Sequence, residues 1–203
     1  MKSTATAQPI YKKTKRLILR PLEIHDYENW VQAHSSMRPP QNEWDETNWI
    51  TSELTQKKFK DHLKKHAQWR AQDHFYEFGV FRKDDGVLIG LVTLMDISRQ
   101  IFQNAYLGYR IYNNHWGQGY ATEACKGVLE IAFKDLKLHR VEAGISPTNK
   151  VSLRVAKSIG LRKEGLSRRR LFTNNGWSDM VLYAGTSEEF GIKFRFPKNK
   201  TVK

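Results

Sequence analysis

Trp116-Gly117-Gln118-Gly119-Tyr120-Ala121-Thr122-Glu123-Ala124 is the stretch on which the reading of this chain turns. Its two glycines allow a tight bend in which several backbone N–H groups converge on one concavity. Upstream, Ala105-Tyr106-Leu107-Gly108-Tyr109-Arg110-Ile111-Tyr112 is rich in aromatic and branched side chains and predicts a strand. Downstream, Ala121, Ala124, Cys125, Val128, Leu129, Ala132, Phe133 and Leu136 recur at helical spacing and predict a helix with one buried face. The mouth of that helix adds the positive end of its dipole and its unpaired amides. Strand, glycine bend and helix in that order predict a seat for a phosphate or pyrophosphate at Gly117, Gln118, Gly119, Tyr120, Ala121 and Thr122. A Gly-x-Gly pair alone is an ordinary turn, and the flanking elements make the difference.

Two phosphate-binding folds are set aside. A P-loop requires a lysine at the helix start, and Tyr120-Ala121-Thr122 supplies none. A dinucleotide fingerprint requires a third glycine, for which Ala124 stands in only loosely. Glu142 lies where the acid of that pattern belongs, but the bend falls past the middle of the chain, after several antiparallel strands, whereas a Rossmann domain opens with it.

The remaining chain fills in the fold. Residues 16–22 predict a first strand with Leu17 and Leu19 on one face, and Tyr27, Trp30, Val31 and His34 mark a short amphipathic helix. Residues 37–48 predict a loop with Pro39-Pro40 and the acids Glu43, Asp45 and Glu46. A helix over 55–72 is expected to turn Phe59, Leu63 and Ala67 inward. Residues 76–82 and 87–96 predict a hairpin bent at Asp84-Asp85-Gly86. A strand over 140–145, a helix over 149–159 and strands over 161–170 and 177–186 follow, the last two joined at the turn signal Asn174-Asn175-Gly176. This order predicts an α/β (α+β) fold, a mixed and largely antiparallel central sheet flanked by helices.

The bend resembles the acetyl-CoA loop of the GNAT N-acetyltransferase superfamily, Gln/Arg-x-x-Gly-x-Gly/Ala. Gly119 and Ala121 match it, while Trp116 replaces the Gln or Arg. A second family motif follows in order: Pro147-Thr148-Asn149-Lys150-Val151-Ser152-Leu153-Arg154-Val155-Ala156, then Ile159-Gly160-Leu161 and Glu164-Gly165, similar to the family's Asn-x-x-Ser helix and Gly-Phe strand start. A narrower likeness, to the ribosomal-protein alanine N-acetyltransferases, rests on Arg16-Leu17-Ile18-Leu19-Arg20-Pro21, Tyr106-Leu107-Gly108-Tyr109, Trp116-Gly117-Gln118-Gly119 and Asn174, Gly176, Trp177 and Asp179. It runs from about Lys15 to Thr186, and small-amine acetyltransferases belong to the same branch.

The resemblance implies a GNAT fold and transfer of acetyl from acetyl-CoA, as co-substrate, to a primary amine by direct attack in a ternary complex. The amides of residues 117–122 would hold the diphosphate. The backbone of Tyr109, Arg110 and Ile111, on a strand that parts from its neighbour, would bond the pantetheine arm and stabilise the oxyanion. The alternative for these three is an ordinary mid-sheet position. Asn149 would bond the same arm, cap its helix, or both. Ser152 would protonate the departing thiolate; otherwise it is a solvent-facing helix serine. A general base is not legible. Tyr106 and Leu171 stand where relatives carry glutamates, leaving Asp96, Glu43, Asp45 or a water chain. An N-terminal α-amine, with a pKa near 8, is partly neutral without help, and a lysine amine near 10.4 is not. The missing base therefore favours the N-terminal α-amine of a protein such as a ribosomal protein. The alternatives are a small amine (polyamine or aminoglycoside) and a non-catalytic CoA-binding, ribosome-associated protein. Ser158 stands where relatives place a lysine for the CoA ribose phosphate, leaving Lys157, Lys150 or Arg168-Arg169-Arg170 to substitute.

Composition sets the outer bounds. The 203 residues fit one catalytic domain over 16–188, with a basic N-terminal extension (1–15) and a basic C-terminal tail (189–203). Residues 1–16 and 191–203 each carry five Lys/Arg and no acid, so the net charge of +13 falls to +3 for the body between them. A wholesale nucleic-acid-binding class is thereby disfavoured, and ribosome or rRNA contact is left to mobile basic ends. The arginine triplet reads as a solvated strand end. Cys125, on a buried helix face, has no partner cysteine and no base beside it. The basic start lacks an apolar h-region and residues 87–95 are too short to span a bilayer, so a cytoplasmic protein without membrane contact is expected. His62 and His66 share a helical spacing, but Lys64 and Lys65 between them favour a solvated face, and no metal is expected. His115 reads as a loop histidine without a role. Trp44 and Trp49 are candidates to line an acceptor groove.

Overall fold

Leu17 and Leu19 are fully buried while Ile18 and Arg20 are only half-buried, the period of two that a sheet facing two environments demands. In the computed structural model, which describes residues 10–45, 51–173 and 176–194, the chain order is β1 (Lys12–Lys13), β2 (Leu17–Arg20), α1 (Tyr27–Ser35), α2 (Gln56–Ala71), β3 (Tyr76–Arg82), β4 (Leu88–Ser98), β5 (Asn104–Ile111), α3 (Tyr120–Glu130), β6 (Arg140–Ile145), α4 (Lys150–Ser158), β7 (Arg162–Thr173) and β8 (Gly176–Thr186). Among the described residues, eight strands form one sheet in the order β1-β2-β3-β4-β5-β6-β8-β7. Every neighbouring pair is antiparallel except β5 and β6. The mixed, largely antiparallel sheet with flanking helices matches the sequence expectation.

Adjacent residues on one strand feed opposite cores. Val80 and Ile89 join a large apolar cluster with Leu17, Leu19, Ala124, Cys125, Val128 and Leu129, beneath α3. Phe81 and Leu88 point the other way, to a second cluster with Trp30 of α1, Phe59 of α2 and Tyr112. Past Glu130 the third helix widens into a π turn over Ile131–Asp135, with Leu136 N–H bonded to Ile131 O at 2.9 Å. Ile131, Ala132 and Phe133 are consecutive and all buried, which a regular helical stripe does not provide. Cys125 is fully buried, and burial pushes its thiol pKa up, so it is an apolar filler and not a nucleophile.

Several expectations need correction. The sheet begins before Arg16: Lys12–Lys13 pairs with Leu19 and Ile18, and Lys12 Nζ lies 2.6 Å from Glu130 Oε2. A two-residue strand is too short to show periodicity. On α2, Phe59 is buried and Leu63 half-buried as expected, but Ala67 is exposed. The face toward β3 is taken by His62 and His66, which are half-buried and reach Glu77. The arginine triplet lies mid-strand on β7, where the register shifts between Ser167 and Leu171, and Arg169 N–H bonds Asp179 Oδ1 at 2.8 Å. Glu46, Trp49 and the Asn174-Asn175 half of the final turn lie outside the described residues, as do 1–9 and 195–203 of the basic ends.

His34 is 3% exposed, with its ring 5.0 Å from Trp30 and 5.3 Å from Tyr112. Burial, aided by the nearby positive charge of Arg110, pushes its pKa down to about 4. An unfolded histidine titrates near 6.5. Between those values the unfolded chain holds a proton that the folded chain lacks, so stability falls as pH drops through that window. The loss from this group at pH 5 should be about 2 kcal/mol. Denaturant melts at pH 7 and pH 5 check it: His34→Gln should lose about 2 kcal/mol less than the parent between the two.

Candidate active site

β5 and β6 stay together for only three residues. Their parallel pairing runs Asn104↔Arg140, Ala105↔Val141 and Tyr106↔Glu142, and then stops. Beyond it β5 follows β4, with Val92↔Tyr109, Leu91↔Arg110 and Gly90↔Ile111, while β6 follows β8 to Ile145↔Val181. A wedge opens between them, and the edge of β5 over Tyr109, Arg110 and Ile111 lines it. One carbonyl on that edge is taken: Trp116 Nε1 donates to Ile111 O at 2.5 Å.

The glycine bend closes the top of the wedge. Gly117 has φ 80 and Gly119 has φ 76, a left-handed backbone that glycine adopts without strain. A Cβ on Gly117 would meet nothing within 4 Å, and on Gly119 nothing nearer than the Arg16 guanidinium at 3.7 Å. Conformation, not space, demands these glycines. Gly119 is the N-cap of α3, and Glu123 N–H to Gly119 O at 3.2 Å is the first bond of the helix. The amides of Tyr120, Ala121 and Thr122 precede that bond and line the cleft.

Arg16, at the edge of β2, braces this bend. Its Nη1 donates to Gln118 O at 2.9 Å, its Nε donates to Glu123 Oε2 at 2.7 Å, and its Cζ lies 4.5 Å from the Tyr120 ring centroid. Thr14 Oγ1 and the Arg16 amide each donate to Glu123 Oε1 at 2.6 Å. Burial alone would raise the Glu123 pKa, but these donors outweigh it and hold the carboxyl below its ordinary value.

α4 forms the facing wall. Asn149 caps it through Ser152 N–H to Asn149 Oδ1 at 3.0 Å, and the Asn149 Nδ2 and Ser152 Oγ bond no described residue. Tyr109 Oη donates to Ser152 O at 3.0 Å, tying β5 to α4 across the wedge. Burial pushes the Tyr109 pKa up, so its hydroxyl stays a donor. Lys150 and Arg154 line the same wall. Glu43, Trp44 and Asp45 complete the lining of a cleft of ≈ 820 Å³. Buried Asn113 holds that segment: Arg38 N–H donates to its Oδ1 at 2.7 Å, and its Nδ2 donates to Asp45 Oδ2 at 2.8 Å. Asp45 also accepts from Gln41 N–H at 3.0 Å, and Glu43 Oε1 accepts from Thr148 Oγ1 at 3.3 Å.

A parting parallel pair, an amide-rich glycine bend and a capped helix opposite make a slot for a long, thin, phosphorylated ligand. Residues 16–162 match the acetyltransferase (GNAT) domain. The chain belongs to the GNAT family of N-acetyltransferases. It is 35% identical over 174 residues to the probable N-acetyltransferase YjcK of Bacillus subtilis (strain 168), covering 85% of this chain and 94% of that one. It is 29% identical over 123 residues to the [ribosomal protein uS5]-alanine N-acetyltransferase of Escherichia coli (strain K12), covering 61% of this chain and 63% of that one. Mycobacterium smegmatis RimJ in complex with CoA-disulfide superposes with a TM-score of 0.73 at 24% identity, over 89% of this chain and 88% of that one.

In this GNAT chain the structure brings Tyr109, Arg110, Ile111, residues 117–122, Asn149 and Ser152 into one cleft. Glu43, Asp45, Trp44, His115 and Lys150, all named from sequence, line it too. Asp96, Lys157 and the arginine triplet do not, and Arg170 Nη2 instead donates to Tyr106 Oη at 2.7 Å. Sequence reasoning missed Arg16 as a brace, Asn113 as an anchor, Arg154, and the hydroxyl role of Tyr109. Arg16 was visible only as part of a family-like strand.

Loss of the brace should loosen the bend more than the fold. Arg16→Ala should weaken acetyl-CoA binding about tenfold by calorimetry, from charge-assisted bonds worth about 1.5–3 kcal/mol, while lowering Tm by only a few degrees. Gly119→Val should weaken it at least as much, because a β-branched residue at positive φ costs about 1–3 kcal/mol. Affinity equal to that of the parent in both variants would contradict this account of the bend.

Proposed function

We propose that the chain transfers the acetyl group of acetyl-CoA to the N-terminal α-amine of a protein, a ribosomal protein being the first candidate. The observation that carries this reading is the wedge between β5 and β6, with the amides of the glycine bend and Ser152 facing one cleft. The amides of residues 117–122 would hold the diphosphate, Tyr109, Arg110, Ile111 and Asn149 the pantetheine arm, and Lys150 or Arg154 the outer phosphate. The amine nitrogen attacks the thioester carbonyl and forms the C–N bond. A backbone N–H of β5 stabilises the oxyanion, the C–S bond breaks, and Ser152 Oγ–H delivers a proton to the thiolate, regaining one from water as the acid that took the amine proton releases it. Of the cleft acids, Asp45 is committed to Asn113 and Gln41, whereas Glu43 is exposed and bonded only through Thr148, so Glu43 is the acid we assign to receive the amine proton.

The α-amine reading is supported by the relative named for alanine N-acetylation of ribosomal protein uS5, and by the low demand of such an amine on a base. Residues 16–188 would act as the catalytic unit. The basic ends, with five Lys/Arg each in 1–16 and 191–203, would favour rRNA docking inside the cell.

Thiol release measured with peptides copying ribosomal-protein N-termini, their N-formylated forms, polyamines and aminoglycosides tests the reading. Turnover is expected with the free α-amine peptides and none with the formylated ones. Turnover confined to polyamines or aminoglycosides would overturn the acceptor assignment, and tight CoA binding with no turnover would overturn catalysis. Ser152→Ala should lower kcat about a hundredfold with acetyl-CoA affinity unchanged; an unaltered kcat would remove Ser152 from the mechanism.

A further inference from the structure

α2 holds the sheet with little apolar surface, since Phe59 is its one fully buried side chain among the described residues. One turn further on, the same face carries His62 and His66, four residues apart and therefore neighbours on the helix surface. Their ring centroids lie 4.1 Å apart. Both reach one carboxylate on β3: Glu77 Oε1 is 2.7 Å from His62 Nε2 and 3.6 Å from His66 Nδ1. One donor atom from each of the three residues lies within 4.8 Å of the other two. Tetrahedral zinc, with bonds of about 2.0–2.2 Å, holds its donors about 3.4 Å apart, so small side-chain rotations suffice.

Proximity is not the only observation. His66 Nδ1 is buried and has no hydrogen-bond partner among the described residues, a state that costs free energy unless something engages it. The His66 ring is fixed edge-on by Trp69 at 5.1 Å and Phe75 at 5.3 Å, which sets the direction of its nitrogens in advance. Lys64 and Lys65 of the intervening turn are exposed, and Lys65 Nζ lies 4.4 Å from the centroid of the Trp69 ring that packs against His66.

We propose that His62, His66 and Glu77 bind a first-row divalent cation, zinc in the first instance, which clips α2 to β3. Two imidazoles and a carboxylate are a zinc donor set and leave a fourth position for water. None of the three residues lines the acetyl-transfer cleft, so the site stands apart from that chemistry.

Metal-stripped, untagged protein titrated with zinc by calorimetry, and with cobalt(II) by visible absorption, tests the site. One zinc per chain is expected, with the d–d absorption of tetrahedral cobalt. Tm should rise by about 5–10 °C at a zinc concentration a hundredfold above Kd. His66→Ala and Glu77→Gln should each weaken zinc binding by more than about a hundredfold while retaining acetyl-CoA binding. Absence of stoichiometric binding, or binding retained in both variants, overturns the proposal. Should a variant fail to fold, crystals of the parent grown with zinc decide: an anomalous peak between the three residues supports the site, and a peak elsewhere or none overturns it.

Discussion

The parting of β5 from β6 is the constraint on which the rest of the structure depends. Parallel neighbours share evenly spaced ladder bonds, and giving them up inside a sheet leaves backbone groups without partners. Each strand keeps its other neighbour, β5 registered with β4 as far as Ile111 and β6 with β8 as far as Ile145, so the loss is confined to the wedge-facing edges, where the Ile111 carbonyl accepts from Trp116 Nε1. The slot is therefore made by main chain, not by a constellation of side chains. Its shape survives substitution of many side chains as long as the two outer pairings hold.

The bend above the slot is held from outside. Arg16 and Glu123 are 107 positions apart in sequence, and their network includes Thr14 and the Gln118 carbonyl. A left-handed Gly-x-Gly bend is soft by itself, since the same freedom that permits positive φ permits other conformations. Bracing it from β2 transfers the rigidity of the sheet to the amides of α3. The start of β2 is thus part of the binding apparatus, although it touches the cleft only through that brace.

Features set by local chemistry were legible in the sequence. Asn149 reads as a cap and is one, the glycines read as a bend with positive φ, and the β3–β4 hairpin falls at its Asp84-Asp85-Gly86 signal. The strand and helix bounds followed from periodicity for the same reason. What escaped were features fixed by partners distant in sequence. The brace at Arg16, the anchor at Asn113 and the hydroxyl bridge of Tyr109 each depend on a residue more than forty positions away. The face of α2 escaped for another reason. A helix rich in lysine and histidine has a weak apolar stripe, and histidine reads as polar by composition while packing as an aromatic. Ala67 was assigned inward by spacing from Phe59 and Leu63. The rings of His62 and His66 are larger, and they take the space against β3 instead.

Both signs of charge line the cleft. Lys150 and Arg154 lie on α4, below the helix-end amides of α3, while Glu43 and Asp45 lie on the segment between α1 and α2, where Glu43 meets Thr148 at the start of α4. In the proposed reading the cationic side chains would attract the anionic coenzyme and the acids a cationic amine before either makes a specific contact. The same acids would answer part of the deprotonation problem. An acid next to the incoming ammonium stabilises its charge and so opposes proton loss, unless that acid also receives the proton. In the proposed reading Asp45, bonded by Asn113 and Gln41, would serve the first task, attraction, and Glu43, exposed beside Thr148, the second. In the proposed reading, two acids with different commitments would allow an amine to be attracted and deprotonated in one place without a glutamate on β5 or at Leu171. An α-amine, needing the smaller pKa change, would be the acceptor that the proposed arrangement serves with least demand on either.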